Sequence, residues 1–115
     1  MDKKIVTVGY GNVKKVEIGG TLPLAFIGGP CAIENRDHAL FMAEAIAKIC
    51  EKLDIPWIYK SCYDKDCRSS PKSFHGVGID EGLKILSEVR DKFSVPVVSD
   101  FSDASWGAAT GEVCD

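Results

Sequence analysis

Leu24-Ala25-Phe26-Ile27-Gly28-Gly29-Pro30-Cys31 is the stretch on which the fold turns. A short apolar run that ends in glycines reads as a strand buried on both faces, as in a parallel sheet. Downstream, Asn35 or Asp37 caps a helix. Met42, Ile46, Ile49 and Leu53 recur along it at spacings of four, three and four, and Ala39, Ala43 and Ala47 widen the stripe. This helix stops before Pro56, and Trp57-Ile58-Tyr59 is a second β-prone run. A polar loop covers residues 61–78, and Ile79, Leu83, Leu86, Val89 and Phe93 then mark a second helix. Residues 95–99 form the next strand, with Pro96 near its start and Asp100 closing it. Ser102 or Asp103 caps a third helix that carries Trp106, Ala109 and Val113 on one side. Upstream, residues 4–8 and 13–18 are two strands joined by Gly9-Tyr10-Gly11-Asn12, a hairpin that Gly19-Gly20 ends.

Strands alternating with helices imply βαβ units and an α/β fold around a parallel sheet. An open doubly wound sheet and a (β/α)₈ TIM barrel both satisfy that order. A barrel takes about 250 residues. The chain has 115 and breaks off at Asp115 inside a helical pattern. On the barrel reading it is an incomplete barrel, an N-terminal hairpin followed by the first three βα units. Residues 1–115 would then be the N-terminal part of a single barrel domain.

The composition narrows the function. Lys and Arg number 14 against 17 Asp and Glu, a net charge of −3, and 45% of residues are hydrophobic. No basic stripe marks a nucleic-acid partner. The longest apolar stretch, residues 22–27, falls far short of the ~20 residues of a membrane helix. Met1-Asp2-Lys3-Lys4 has no apolar segment of a secretory signal, so a cytoplasmic place with no membrane partner is expected. Five cysteines, an odd count, argue against a disulfide framework, and Cys50 falls on the apolar stripe of a helix.

Functional groups in parallel α/β folds collect at the C-terminal ends of the strands. Those ends deliver Cys31, then Lys60 with its loop, then Asp100. Lys60, Lys65 and Arg68 set three cations among hydroxyls, a phosphate or carboxylate site or else a solvated charged loop. Asp100 is a functional carboxylate or a helix cap. Cys31 is a thiolate for a divalent metal such as Zn²⁺ or Fe²⁺, or a small buried apolar group. Cys62 and Cys67, five apart, are a weak metal or redox signal, and His75 sits among glycines where it could face a ligand. Gly9-Tyr10-Gly11 precedes a strand rather than a helix, so it is no dinucleotide fingerprint.

Four blocks carry a resemblance. They are residues 28–34 (Gly28-Gly29-Pro30-Cys31), residues 59–70 (Tyr59-Lys60 to Ser69-Ser70), residues 76–83, and Val97-Val98-Ser99-Asp100. In that order they resemble the 3-deoxy-D-manno-octulosonate 8-phosphate synthases, also called 2-dehydro-3-deoxyphosphooctonate aldolases. The related 3-deoxy-D-arabino-heptulosonate 7-phosphate synthases share the Gly-Pro-Cys motif. The resemblance implies a homotetrameric (β/α)₈ barrel with residues 1–20 as a hairpin over its bottom. It implies condensation of phosphoenolpyruvate with D-arabinose 5-phosphate and water, a step toward lipopolysaccharide. Carried over by position, Lys60, Lys65 and Asp100 are catalytic. Lys60, Cys62, Lys65, Cys67, Arg68, Ser69 and Asp100 bind the small phosphorylated substrates. Cys31 ligates a divalent metal of the Zn, Fe or Mn class, whose other ligands lie beyond residue 115. The sequence departs from the family at Cys62, where Ser is usual, at Asp66-Cys67 for Ala-Asn, and at Phe101-Ser102 for Val-His. These departures keep open the sugar erythrose 4-phosphate, and the length keeps open a non-catalytic truncated remnant.

Overall fold

A computed structural model describes residues 4–65 and 75–115. The elements are β1 (Ile5–Val8), β2 (Val16–Gly19), β3 (Phe26–Gly28), α1 (Arg36–Leu53), β4 (Trp57–Lys60), α2 (Ile79–Phe93), β5 (Val97–Val98), a 3₁₀ turn (Ala104–Trp106) and α3 (Gly107–Val113). They form two sheets. β1 and β2 are an antiparallel hairpin with Ile5 opposite Gly19 and Val8 opposite Val16. β3, β4 and β5 lie side by side in chain order and run parallel. The helical connections between consecutive parallel strands make this an α/β fold.

α1 begins where the Asn35 side chain accepts from the His38 N–H at 2.8 Å, so Asn35 rather than Asp37 is the cap. It ends on Asp54 in the left-handed conformation, whose N–H returns to the carbonyls of the last turn. The core lies between the helices and one face of the parallel sheet. There Ala39, Ala43 and Cys50 of α1 and Ile85, Leu86 and Val89 of α2 pack against Trp57, Tyr59, Val95 and Val97. Cys50 is thus core, as its stripe implies.

Two expectations about burial change. The row that α1 lays on the sheet is Ala39, Ala43, Ile46 and Cys50, whereas Ile49 and Leu53 are 57% and 60% exposed. At 100° per residue Ile49 falls on the flank of that row, and Leu53 ends the helix. Small side chains occupy the row itself and allow the close approach. β3 is not buried on both faces: Phe26 is 45% and Ile27 52% exposed. Its only strand partner among the described residues is β4, so one edge and one face stay open. Asp103, not Ser102, caps the 3₁₀ turn, accepting from the Ser105 N–H at 2.9 Å.

The hairpin sits at the N-terminal ends of the parallel strands. Lys14 donates its N–H to the Ser94 carbonyl at 2.8 Å, just ahead of β5. Asp115 ties the same region together: its buried carboxylate accepts from Arg90, Tyr10 and Val97. The Arg90 guanidinium also lies 4.1 Å from the centre of the Tyr10 ring.

Candidate active site

The opposite end of the sheet gathers the charged residues. β4 ends in Lys60 and β5 runs into Asp100. Lys60 pairs with Val98 in the ladder, which sets Asp100 two residues beyond that level. The Lys60 ammonium lies 3.5 Å from Asp100 Oδ1, and the Lys65 ammonium 3.6 Å from Asp100 Oδ2. Two cations drawn from β4 and its following segment thus converge on one carboxylate from β5.

The backbone that holds them is tightly drawn. Cys62 donates its N–H to Cys31 O and accepts from Ile33 N–H, extending the parallel pairing past β3 and β4. Ser61, read from sequence only as part of the loop, is buried and donates to the Pro30 carbonyl at 2.6 Å. Gly29 passes so near the Lys60 carbonyl that a Cβ there would collide with it. Gly76 at φ +124° lies against the Tyr63 carbonyl in the same way. Lys65 N–H donates to His75 O, and Gly78 N–H to Tyr63 O. Tyr63 itself turns inward, bonds Thr110 at 2.8 Å and meets the Trp106 ring edge-on.

A cavity of about 190 Å³ opens between these segments, lined by Ile27, Gly28, Pro30, Cys31, Lys60 and Lys65. Its walls carry two ammonium groups and the exposed Cys31 thiol. A larger cavity, about 340 Å³, lies at the other end between the hairpin and the C-terminal ends of α1 and α2. The smaller one has the convergent charge and sits at the strand ends where parallel α/β folds place chemistry.

Electrostatics match the geometry. Asp100 is held below the usual carboxylate range, first by a hydrogen bond from Cys62 and then by Lys60 and Lys65, which outweigh its partial desolvation. Lys65 is pushed above the ordinary lysine value, first by its hydrogen bond with Cys62 and then by the fields of Cys62, Cys31 and Asp100. The raised Lys65 value favours its charged form, as an anion site requires.

Of the residues expected from sequence, Lys60, Cys62, Lys65 and Asp100 come together, with Cys31 on the same cavity. Cys67, Arg68 and Ser69 lie outside the described residues. His75 enters through its carbonyl, which fixes Lys65. Among the described residues the donor set for a metal is incomplete. Among the described residues no group of three or more His, Cys, Asp or Glu side chains is placed to hold one. Cys31 by itself is one thiolate, and catalytic zinc sites use three protein ligands. No helix of the described residues is long and apolar enough to cross a membrane.

The chain is similar to 2-dehydro-3-deoxyphosphooctonate aldolase of Rickettsia rickettsii (strain Sheila Smith), 50% identical over 103 residues. The proteins of the same name from Rickettsia conorii and Koribacter versatilis are each 48% identical over 103 residues. Each alignment covers 90% of this chain but only 38%, 38% and 37% of the respective relative, so the chain spans under two fifths of their length. The sequence model of the DAHP synthetase I family matches residues 4–115, nearly the whole chain, and the chain belongs to that family.

Proposed function

We propose that the protein takes part in condensing phosphoenolpyruvate with D-arabinose 5-phosphate and water to give 3-deoxy-D-manno-octulosonate 8-phosphate and phosphate. The observation that carries the reading is the convergence of Lys60 and Lys65 on Asp100 beside an open cavity. The relatives named as 2-dehydro-3-deoxyphosphooctonate aldolases support it.

In this reading Lys60 and Lys65 bind the anionic groups of phosphoenolpyruvate and hold the enol carbon toward the sugar aldehyde. Phosphoenolpyruvate carries a carboxylate and a phosphate, and two point charges on separate segments match that pair. Asp100 spaces the two ammonium groups before substrate enters and accepts from a sugar hydroxyl afterwards. Arg68 and Ser69 take the sugar phosphate, and Cys67 takes part in binding the sugar. The new carbon–carbon bond joins the enol carbon to the aldehyde carbon. Water adds to the carbon that bears the phosphate, the bond from that carbon to the bridging oxygen breaks as phosphate departs, the water oxygen remains as the product's ketone oxygen, and the aldehyde oxygen takes up a proton to become a hydroxyl. Cys31 is a candidate thiolate ligand for a divalent metal, which would orient or polarise oxygen when bound. It needs donors beyond those described, and no step is assigned to it. The proposal extends to a (β/α)₈ barrel whose bottom the hairpin covers, a homotetramer, and a cytoplasmic setting.

The resemblance to the heptulosonate synthases keeps one alternative, the shorter aldose erythrose 4-phosphate. Inorganic phosphate released from phosphoenolpyruvate, measured with each aldose in turn across several divalent metals, separates the two. Release with arabinose 5-phosphate alone is the expected result. Release with neither sugar would refute the proposed function.

A further inference from the structure

We propose that Cys62 is a positioning residue: its buried thiol donates to Asp100 Oδ2 and fixes that carboxylate between Lys60 and Lys65. The inference rests on the proposed function only in taking Asp100 as part of the substrate site.

The geometry separates the fixed partner from the movable one. Cys62 is fully buried, and both its backbone groups are hydrogen-bonded into the neighbouring segment, to Cys31 O at 3.2 Å and from Ile33 N at 2.9 Å. Its sulfur is therefore placed by the sheet. The Asp100 side chain is 61% exposed, and it follows the last strand residue rather than lying in the ladder. Left alone, such a carboxylate samples several rotamers. Its lysine contacts, 3.5 and 3.6 Å, are ion pairs without the short directional reach of a hydrogen bond. The thiol contact, 3.3 Å from Sγ to Oδ2, is within bonding range for sulfur and comes from the rigid side. It selects the rotamer in which Oδ1 faces Lys60 and Oδ2 faces Lys65. A fully buried thiol is poorly placed to touch substrate, so Cys62 acts through Asp100.

The test needs no substrate, so it stands apart from the assay of the proposed function. The groups that face Asp100 among the described residues are Lys60 on β4 and Cys62 and Lys65 just after it. With carbon-13 in the aspartate carboxyls, Asp100 is titrated by NMR in the wild type, Cys62→Ala and Cys62→Ser. The expected result is an upward shift of the Asp100 midpoint in Cys62→Ala and a return toward wild type in Cys62→Ser, which restores a donor. A Cys62→Ala midpoint equal to wild type would overturn the proposal. So would a Cys62→Ser midpoint equal to that of Cys62→Ala. Should Cys62→Ala fail to fold, the S–H stretch is read by Raman difference spectroscopy in the wild type and in Asp100→Ala, a change at an exposed side chain. Loss of the carboxylate acceptor should raise the Cys62 frequency, and an unchanged band overturns the proposal.

Discussion

Replacing Asp115 by Ala should destabilise the fold by about 3–5 kcal/mol, the usual cost of breaking a buried ion pair by removing one partner. The structure says why the upper class of effect applies. The Asp115 side chain is 0% exposed and that of Arg90 only 12%. The pair is bidentate, Arg90 Nε to Oδ2 at 2.9 Å and Nη2 to Oδ1 at 3.0 Å. The same carboxylate accepts from Tyr10 N–H at 2.9 Å and Val97 N–H at 3.0 Å. Its loss leaves a nearly buried cation without a carboxylate, with only the Tyr10 carbonyl and ring beside it, and takes the acceptor from two backbone donors at once. With urea slopes of about 1–3 kcal/mol per M, the unfolding midpoint should fall by at least about 1 M. The double variant Arg90→Met with Asp115→Leu leaves no buried charge but still strands the two N–H groups. It should therefore lie nearer the wild type than Asp115→Ala does. The effect also carries a pH signature. Burial pushes the Asp115 carboxyl up, but the Arg90 bond and the two N–H donors outweigh it and hold the group below its ordinary value. A carboxyl more acidic in the folded than the unfolded state stabilises fully above the ordinary Asp range near about 3.9. That contribution is lost as pH falls through the folded value, so the gap between variant and wild type should close in acid. Urea titrations at neutral and acid pH test both statements. An Asp115→Ala midpoint within about 0.3 M of wild type at neutral pH would refute the reasoning.

Gly29→Ala should cost more stability than the ~0.5 kcal/mol that bounds an ordinary surface change, because a Cβ there meets the Lys60 carbonyl and pries β3 from β4. Thermal unfolding checks it, and a wild-type melting temperature would contradict the close approach. Binding of inorganic phosphate at Lys65 should persist to alkaline pH, past the ordinary lysine midpoint near about 10.4. The Cys62 hydrogen bond and then the fields of Cys62, Cys31 and Asp100 raise the Lys65 value, so its charge is lost only as pH climbs through that higher midpoint. Calorimetric phosphate titrations in wild type and Lys65→Met against pH should show the Lys65 contribution surviving to that point.

What was legible in the sequence is what periodicity controls. β4 alternates Trp57, Ile58, Tyr59 and Lys60, so core aromatics face the helices while Lys60 turns the other way. The period of two carries on to Cys62, which shares the side of Lys60, and parallel order sets Asp100 on the neighbouring segment at a similar level. Strand ends therefore announced Lys60 and Asp100, which the structure sets 3.5 Å apart, while Cys62, by its spacing only a weak metal or redox signal, meets Asp100 at 3.3 Å. What was not legible depends on neighbours that a period cannot name. The openness of β3 is set by which strand stands on its far side, and Phe26 and Ile27 read the same either way. On α1 the stripe holds for Ala39, Ala43, Ile46 and Cys50 but not for Ile49 and Leu53, which hydrophobicity alone ranks above the small residues. Close packing of a helix on a sheet favours the small side chains. Asp115 is the sharpest case. An acidic residue in a polar sequence context signals solvent, yet here it is buried because Arg90, Tyr10 and Val97 arrive from three separate elements. A buried charge is explained by its partners, and partners drawn from distant parts of the chain leave no local mark. The same logic holds for Cys62, whose buried thiol meets the Asp100 carboxylate from a segment 38 residues away in the chain.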